Sequence, residues 1–161
     1  MQIEMTIKGL MVDPVTSMPI VILRDKTGEN VLPIWVGIFE ANAIASQIEN
    51  VESPRPMTHD LVKNLIDNFN GEVQKIVITD LEESTFYATI HININNKIST
   101  VDSRPSDAIA IALRAKAPIF AEKKIIDQAK NSDIKPQAGE SERLEQWLQD
   151  LDEDSLGKYK M

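Results

Sequence analysis

From Phe86 to Asn95 apolar and polar residues alternate without a break: Phe86, Ala88, Ile90, Ile92 and Ile94 against Tyr87, Thr89, His91, Asn93 and Asn95. Successive side chains of a strand point to opposite faces, so this segment buries one face and leaves the other mostly wet. A sheet containing such a strand needs a cover on one side only. Residues 72–81 and 97–101 read as strands on either side of it, joined through turns at Glu82-Glu83-Ser84 and Asn95-Asn96, which makes a three-strand meander.

Near the start, apolar residues recur at Ile3, Met5 and Ile7 in a strand that runs to Val12 and is interrupted by Pro14. Met18 to Arg24 and Val31 to Val36 are rich in β-branched residues, and the polar stretch Asp25 to Asn30, with Gly28, joins them as a hairpin. The pattern then changes to steps of three and four, Ile38, Ala41, Ile44, Ala45 and Ile48, which line one side of a helix ending near Asn50. Ser53-Pro54-Arg55-Pro56 cannot be helix interior, because proline has no N–H to donate. Thr58 is expected to cap a second helix carrying Leu61, Leu65, Ile66 and Phe69, stopped by Asn70-Gly71. Ser106 is expected to cap a third, from Asp107 to Ala115, whose alanines permit close packing on the sheet. A short extended piece, Pro118 to Phe120, precedes a helix beginning near Glu122.

These elements describe an α+β fold: one compact domain over residues 1–130, with a mixed or antiparallel sheet packed against helices. Residues 131–161 read as a linker containing Pro136 and Gly139, followed by an amphipathic helix with Leu144, Trp147, Leu148 and Leu151 on one face. A chain of 161 residues with 42% apolar and 26% charged residues suits one core. Its start lacks a basic segment followed by an apolar one, no apolar run approaches the roughly 20 residues of a membrane span, and there is no cysteine. A cytoplasmic protein without disulfides or a thiolate site is expected. The net charge of −8 opposes broad phosphate neutralisation, so any RNA or DNA must bind at a local site. Seven acids against one base between Glu140 and Asp154 sharpen that argument.

Two clusters can carry chemistry. Arg55, Thr58, His59 and Asp60 stand at the mouth of a helix, where backbone N–H groups attract anions. Asp102, Arg104, Ser106 and Asp107 surround a strand-to-helix turn. Each also has a structural reading, with Thr58 or Asp60 as a cap and an Asp–Arg pair fixing the turn. Glu40, in the first turn of its helix, either adds a carboxylate or complements the helix dipole. His91 reads as a surface histidine, and Trp35 and Phe39 as core or subunit interface rather than base-stacking platforms. Phosphate loops, dinucleotide fingerprints and nucleophile elbows are missing, and two histidines without cysteine make a dedicated zinc site improbable.

The segments Leu32-Pro-Ile-Trp-Val-Gly-Ile-Phe-Glu-Ala-Asn-Ala-Ile-Ala45, Arg55-Pro-Met-Thr-His-Asp-Leu61 and Asp102-Ser-Arg-Pro-Ser-Asp-Ala-Ile-Ala-Ile-Ala-Leu-Arg114 together resemble the bifunctional nuclease (BFN) family. Val77-Ile-Thr-Asp-Leu81 and Thr85-Phe-Tyr-Ala88 match in order between the last two, and the resemblance spans Met1 to Lys130. It implies an α+β fold that self-associates, with a dimer favoured, and nuclease activity on RNA and DNA. The family's shared polar positions fall on Glu40, Arg55, Thr58, His59, Asp60, Asp102, Arg104 and Asp107.

The combined expectation is a phosphodiesterase assisted by Mg²⁺ or Mn²⁺. His59, Asp60, Asp102 and Asp107 would be catalytic, and Asp60, Asp102, Asp107 and Glu40 would be metal ligands. Arg55, Thr58, Arg104 and Ser106 would hold the phosphate, with no organic cofactor and no membrane contact. The competing expectation is a non-enzymatic regulatory, assembly or anion-binding module, with the acidic C-terminal helix docking on a protein partner.

Overall fold

The computed structural model describes residues 1–131. All seven strands form one sheet: β1 (Gln2–Val12), β2 (Pro19–Asp25), β3 (Val31–Trp35), β4 (Gly71–Glu82), β5 (Thr85–Ile94), β6 (Lys97–Ser103) and β7 (Ile119–Glu122). Four helices accompany them: α1 (Ile38–Ile48), α2 (Thr58–Asn68), α3 (Pro105–Ala115) and α4 (Lys123–Asn131). The α+β reading, the N-terminal hairpin and the β4-β5-β6 meander all hold. Asn131 closes α4, and the expectations for the acidic tail lie outside the described residues.

The strand order β3-β2-β1-β7-β4-β5-β6 gives the short segment after Pro118 a larger part than its length suggests. β7 joins the N-terminal hairpin to the meander, antiparallel to β1 through Ile3↔Ala121 and parallel to β4 through Ile76↔Ile119. A parallel neighbour needs a crossover, and β6-α3-β7 supplies part of it.

Register explains which face is covered. Ala88, Ile90 and Ile92 of β5 stand opposite Ile78, Ile76 and Val73 of β4. Together with Ile119, Ala121 and Met5 they meet Ala41 and Ile44 of α1 and Ala108, Ile109 and Ala112 of α3 in one core. Each fully buried isoleucine or leucine contributes roughly 1.5–3 kcal/mol relative to exposure. The three alanines of α3 at positions 108, 110 and 112 are completely buried, which lets this helix lie close to the strands. On the opposite face the half-wet set remains: Thr89, His91 and Lys75, whose ammonium lies 5.4 Å from the Phe120 ring centre. His91 receives or donates one bond with Thr89, at 3.2 Å.

Three local readings differ. Ile38 and Ile48, at the ends of α1, are exposed while Ala41, Ile44 and Ala45 are buried, so the apolar stripe is anchored at its middle. α2 begins at Thr58 itself, with Met57 in the capping position; the Asp60 carboxylate accepts the Met57 N–H at 2.9 Å instead. α3 begins at Pro105, one residue before the expected serine cap, because proline at the first helical position needs no N–H partner. No helix among the described residues is long and apolar enough to cross a membrane.

The β2–β3 turn has a measurable signature in acid. Asp25 accepts hydrogen bonds from the Asn30 side chain at 2.7 Å and from the Gly28 N–H at 2.8 Å, and Gly28 supplies the positive φ of 79° that the turn requires. The Asn30 amide, with the other donors, lowers the Asp25 carboxyl to about 2. A depressed carboxyl stabilises the fold above its unfolded value, and that contribution disappears as pH falls through the folded one. Asp25→Asn is therefore expected to flatten the fall of the urea midpoint between about pH 4 and pH 2. Parallel curves for variant and wild type would contradict this.

Candidate active site

One residue from each sequence cluster, His59 and Asp107, meet where α2 and α3 begin. His59, in the first turn of α2, places Nε2 2.8 Å from Asp107 Oδ1 in the first turn of α3. An ionised carboxylate only accepts, so the imidazole N–H is the donor. Arg104 Nε donates to the other oxygen, Asp107 Oδ2, at 2.8 Å, and Arg104 Nη2 reaches Glu40 Oε1 of α1 at 2.8 Å. The result is a chain of polar contacts, Glu40–Arg104–Asp107–His59. Gly37 makes room for it, because a Cβ there would collide with the Glu40 carboxylate.

Burial alone would raise the Asp107 carboxyl, but hydrogen bonds from His59 and Arg104, with their charges, hold it below the usual carboxylate range. Hydrogen bonds to Asp107 and Glu40 push Arg104 above its usual value. Both partners therefore stay charged at neutral pH.

A second network starts from Asp60. Its Oδ1 accepts Arg114 Nε at 2.6 Å, and the guanidinium also donates to the carbonyls of Ala43, at 3.1 and 3.2 Å, and Ala110, at 2.9 Å. Burial would raise the Asp60 carboxyl, but the Met57 N–H and Arg114 lower it. The Arg114 side chain is only 6% exposed and ties α1, α2 and α3 together. Sequence reasoning gave this arginine no role. The signal was a lone cation closing the apolar run of α3, seven residues and two helical turns after Asp107.

Asp102 is not brought to either network. On β6 it stands opposite Thr89, which belongs to the sheet face away from the buried Ala88 and Ile90. Ser106 is buried in the first turn of α3. Arg55 is exposed, and Thr58 is exposed at the start of α2. As placed, Glu40, Asp60 and Asp107 already hold arginine or histidine. No group of three or more histidine and carboxylate side chains among the described residues is disposed to hold a metal ion.

Beside the networks lies an open groove of about 620 Å³, lined by α1, the loop before α2 and the start of α2. Thr58, His59 and Asp60 of α2 and Arg114 of α3 line it, together with Phe39 and Asn42 of α1. Phe39 is 86% exposed, so it is not a core residue. Trp35, by contrast, packs with Met11, Ile20 and Ile22 and donates to Asp13 at 2.8 Å.

Residues 21–133, which contain every residue of both networks, match the model of the bifunctional nuclease domain. The chain belongs to the bifunctional nuclease domain family. Among its relatives is an uncharacterized protein of Mycobacterium tuberculosis, 42% identical over 126 residues that cover 78% of this chain and 75% of that one. Bifunctional nuclease 2 of Arabidopsis thaliana is 31% identical over 71% of this chain and 38% of its own length. Bifunctional nuclease 2 of Oryza sativa is 34% identical over 63% and 32%. The segment matched by this chain covers about a third of each of these plant relatives and three quarters of the mycobacterial one.

Proposed function

We propose that this chain hydrolyses phosphodiester bonds in RNA and DNA, with His59 transferring the proton and Asp107 orienting it. One observation carries the reading: a histidine tied to an arginine-held carboxylate lines an open groove in a domain of this family. With Nε2 engaged, Nδ1 is the nitrogen left to take a proton from water. The water oxygen bonds to phosphorus as the bond to the leaving sugar oxygen opens opposite it. The water proton passes to Nδ1, and the leaving oxygen is protonated from solvent. Ionised Asp107 stabilises the imidazolium that forms. Arg55, with no bond to another described residue, and the unbonded Nη1 of Arg104 offer charge to the phosphate.

Mg²⁺ takes six oxygen ligands, whereas Glu40, Asp60 and Asp107 hold arginine or histidine and Asp102 stands apart from both networks, so this reading routes no step through a metal. Pure full-length protein is expected to cleave RNA and DNA with EDTA present. Cleavage that vanishes in EDTA and returns with Mn²⁺ would overturn the metal-free step. Arg55→Ala is expected to raise KM roughly tenfold with little change in kcat, as loss of one exposed charged contact to phosphate should. An unchanged KM would remove Arg55 from the phosphate site.

A second reading has its own support. Both networks bind helix to helix, Glu40–Arg104 joining α1 to α3 and Asp60–Arg114 joining α2 to α3, as bracing in a non-enzymatic assembly or anion-binding module would. Complete absence of hydrolysis by pure protein, with or without Mg²⁺ or Mn²⁺, would favour it.

A further inference from the structure

The groove beside His59 has a second wall that proton transfer does not use. On α1, Phe39, Asn42, Ala43, Ser46 and Gln47 follow one another at helical spacing and line it, while Ala41, Ile44 and Ala45 on the same helix face the core. Phe39 leaves 86% of its surface in water, where it gains none of the stabilisation that burial gives an aromatic side chain. Met57, also more than half exposed, joins it at the same groove. Three side-chain amides, Asn42, Gln47 and Asn64, line the same groove, and their amide groups make no hydrogen bond to other described residues.

An exposed aromatic ring sharing one groove with unengaged amide donors and acceptors suits a nucleobase, which has a π face and a hydrogen-bonding edge. Resting on the nuclease reading above, we infer that this wall is a subsite for one unstacked nucleobase, so that the substrate is single-stranded RNA or DNA. In a duplex both faces of each base are covered by neighbours and only edges are offered in the grooves, so Phe39 has nothing to stack on. The groove volume of about 620 Å³ suits a short segment rather than a double helix about 20 Å across.

Charge limits how much of a strand the groove can hold. The acids lining the groove are Asp60, held by Arg114, and Glu52, while Arg55 on the adjoining loop holds no carboxylate. A net charge of −8 gives a long polyanion no general attraction. One phosphate near Arg55 with its base against Phe39 needs none. Binding is therefore expected to depend weakly on salt, with a log–log slope of roughly −0.7 to −1.4 for one or two phosphates.

The test uses full-length protein carrying His59→Ala, to prevent cleavage, and fluorescein-labelled ten-nucleotide oligothymidylate read by anisotropy. The same oligomer with abasic residues and its duplex with oligoadenylate serve as comparisons. The base-bearing single strand is expected to bind at least tenfold tighter than either. Adding Phe39→Ala should weaken it roughly 5- to 150-fold, the range of one base–aromatic stack, and erase the preference over the abasic strand, while Phe39→Trp keeps it. Phe39 is exposed, so the alanine variant should fold, as circular dichroism would verify. Equal affinity for base-bearing and abasic strands, no binding at all, or a Phe39→Ala effect only on sedimentation mass would overturn the subsite, the last by showing a second copy on this wall. Cleavage by wild type without base preference would retain the nuclease reading and remove the subsite. Base-dependent binding without cleavage would do the reverse.

Discussion

Asp107→Asn is expected to slow hydrolysis of RNA and DNA by roughly 10²–10⁴-fold, the range that positioned acid–base catalysis supplies. The substitution changes few atoms but reverses the local logic. An amide can offer His59 either its oxygen or its NH₂ group, so it no longer fixes which ring nitrogen carries the proton, and it cannot stabilise an imidazolium as a carboxylate does. Arg104, which now donates to Asp107 at 2.8 Å, keeps an acceptor there only when the amide oxygen faces it, and His59 then meets the NH₂ group. His59→Ala should cost a similar factor, and the double variant should be no slower than His59→Ala, because the two residues act as one unit. Single-turnover rates at saturating substrate, with oligonucleotide affinity measured alongside, make the check. A rate within twofold of wild type for Asp107→Asn would end the proposed role of the pair, and additive losses would mean that the residues act separately.

That this pair meets was only partly legible. The strands were readable because a half-wet strand writes its period into the sequence, as Phe86 to Asn95 does. β7 was readable as extended but not as the strand joining two halves of the sheet, since four residues carry no information about distant partners. The stripe Leu61, Leu65 and Phe69 marks one face of α2, yet all three are exposed; periodicity identifies a face and does not say what covers it.

The same limit applied to the carboxylates. Asp102 and Asp107 flank one turn and look equivalent in sequence, but strand alternation sends Asp102 to the face shared with Thr89 while helix α3 turns Asp107 toward His59. The core alternative for Phe39 fails for a related reason, while the subunit-interface alternative is not decided by exposure. Phe39 falls between the core positions Ile34 and Ala41, and only the packed helix shows that its side chain turns to the groove. Local patterns marked residues at both ends of the candidate site, and the crossing of three helices decides which of those side chains touch.

Arg114 holds that crossing, and Arg114→Met is expected to destabilise the domain by about 2–4 kcal/mol, somewhat below the range for breaking a fully buried pair because Asp60 keeps some solvent contact. Methionine fills much of the space but leaves the Asp60 carboxylate without its cation and the carbonyls of Ala43 and Ala110 without their charged donor. Because Arg114 helps hold the Asp60 carboxyl low, wild type draws stability from it above the unfolded carboxylate value, and loses that contribution as pH falls through the folded one. The variant has less of this contribution to lose. The gap between the two urea-unfolding free energies should therefore be widest near pH 7 and narrow as pH falls toward 3. In a cycle with Asp60→Asn, the double variant should be more stable than the sum of the single losses predicts, with a coupling of about 1–3 kcal/mol. A gap independent of pH, together with additive losses, would mean that Arg114 acts through packing alone and that the first turn of α2, with His59, is held by something else.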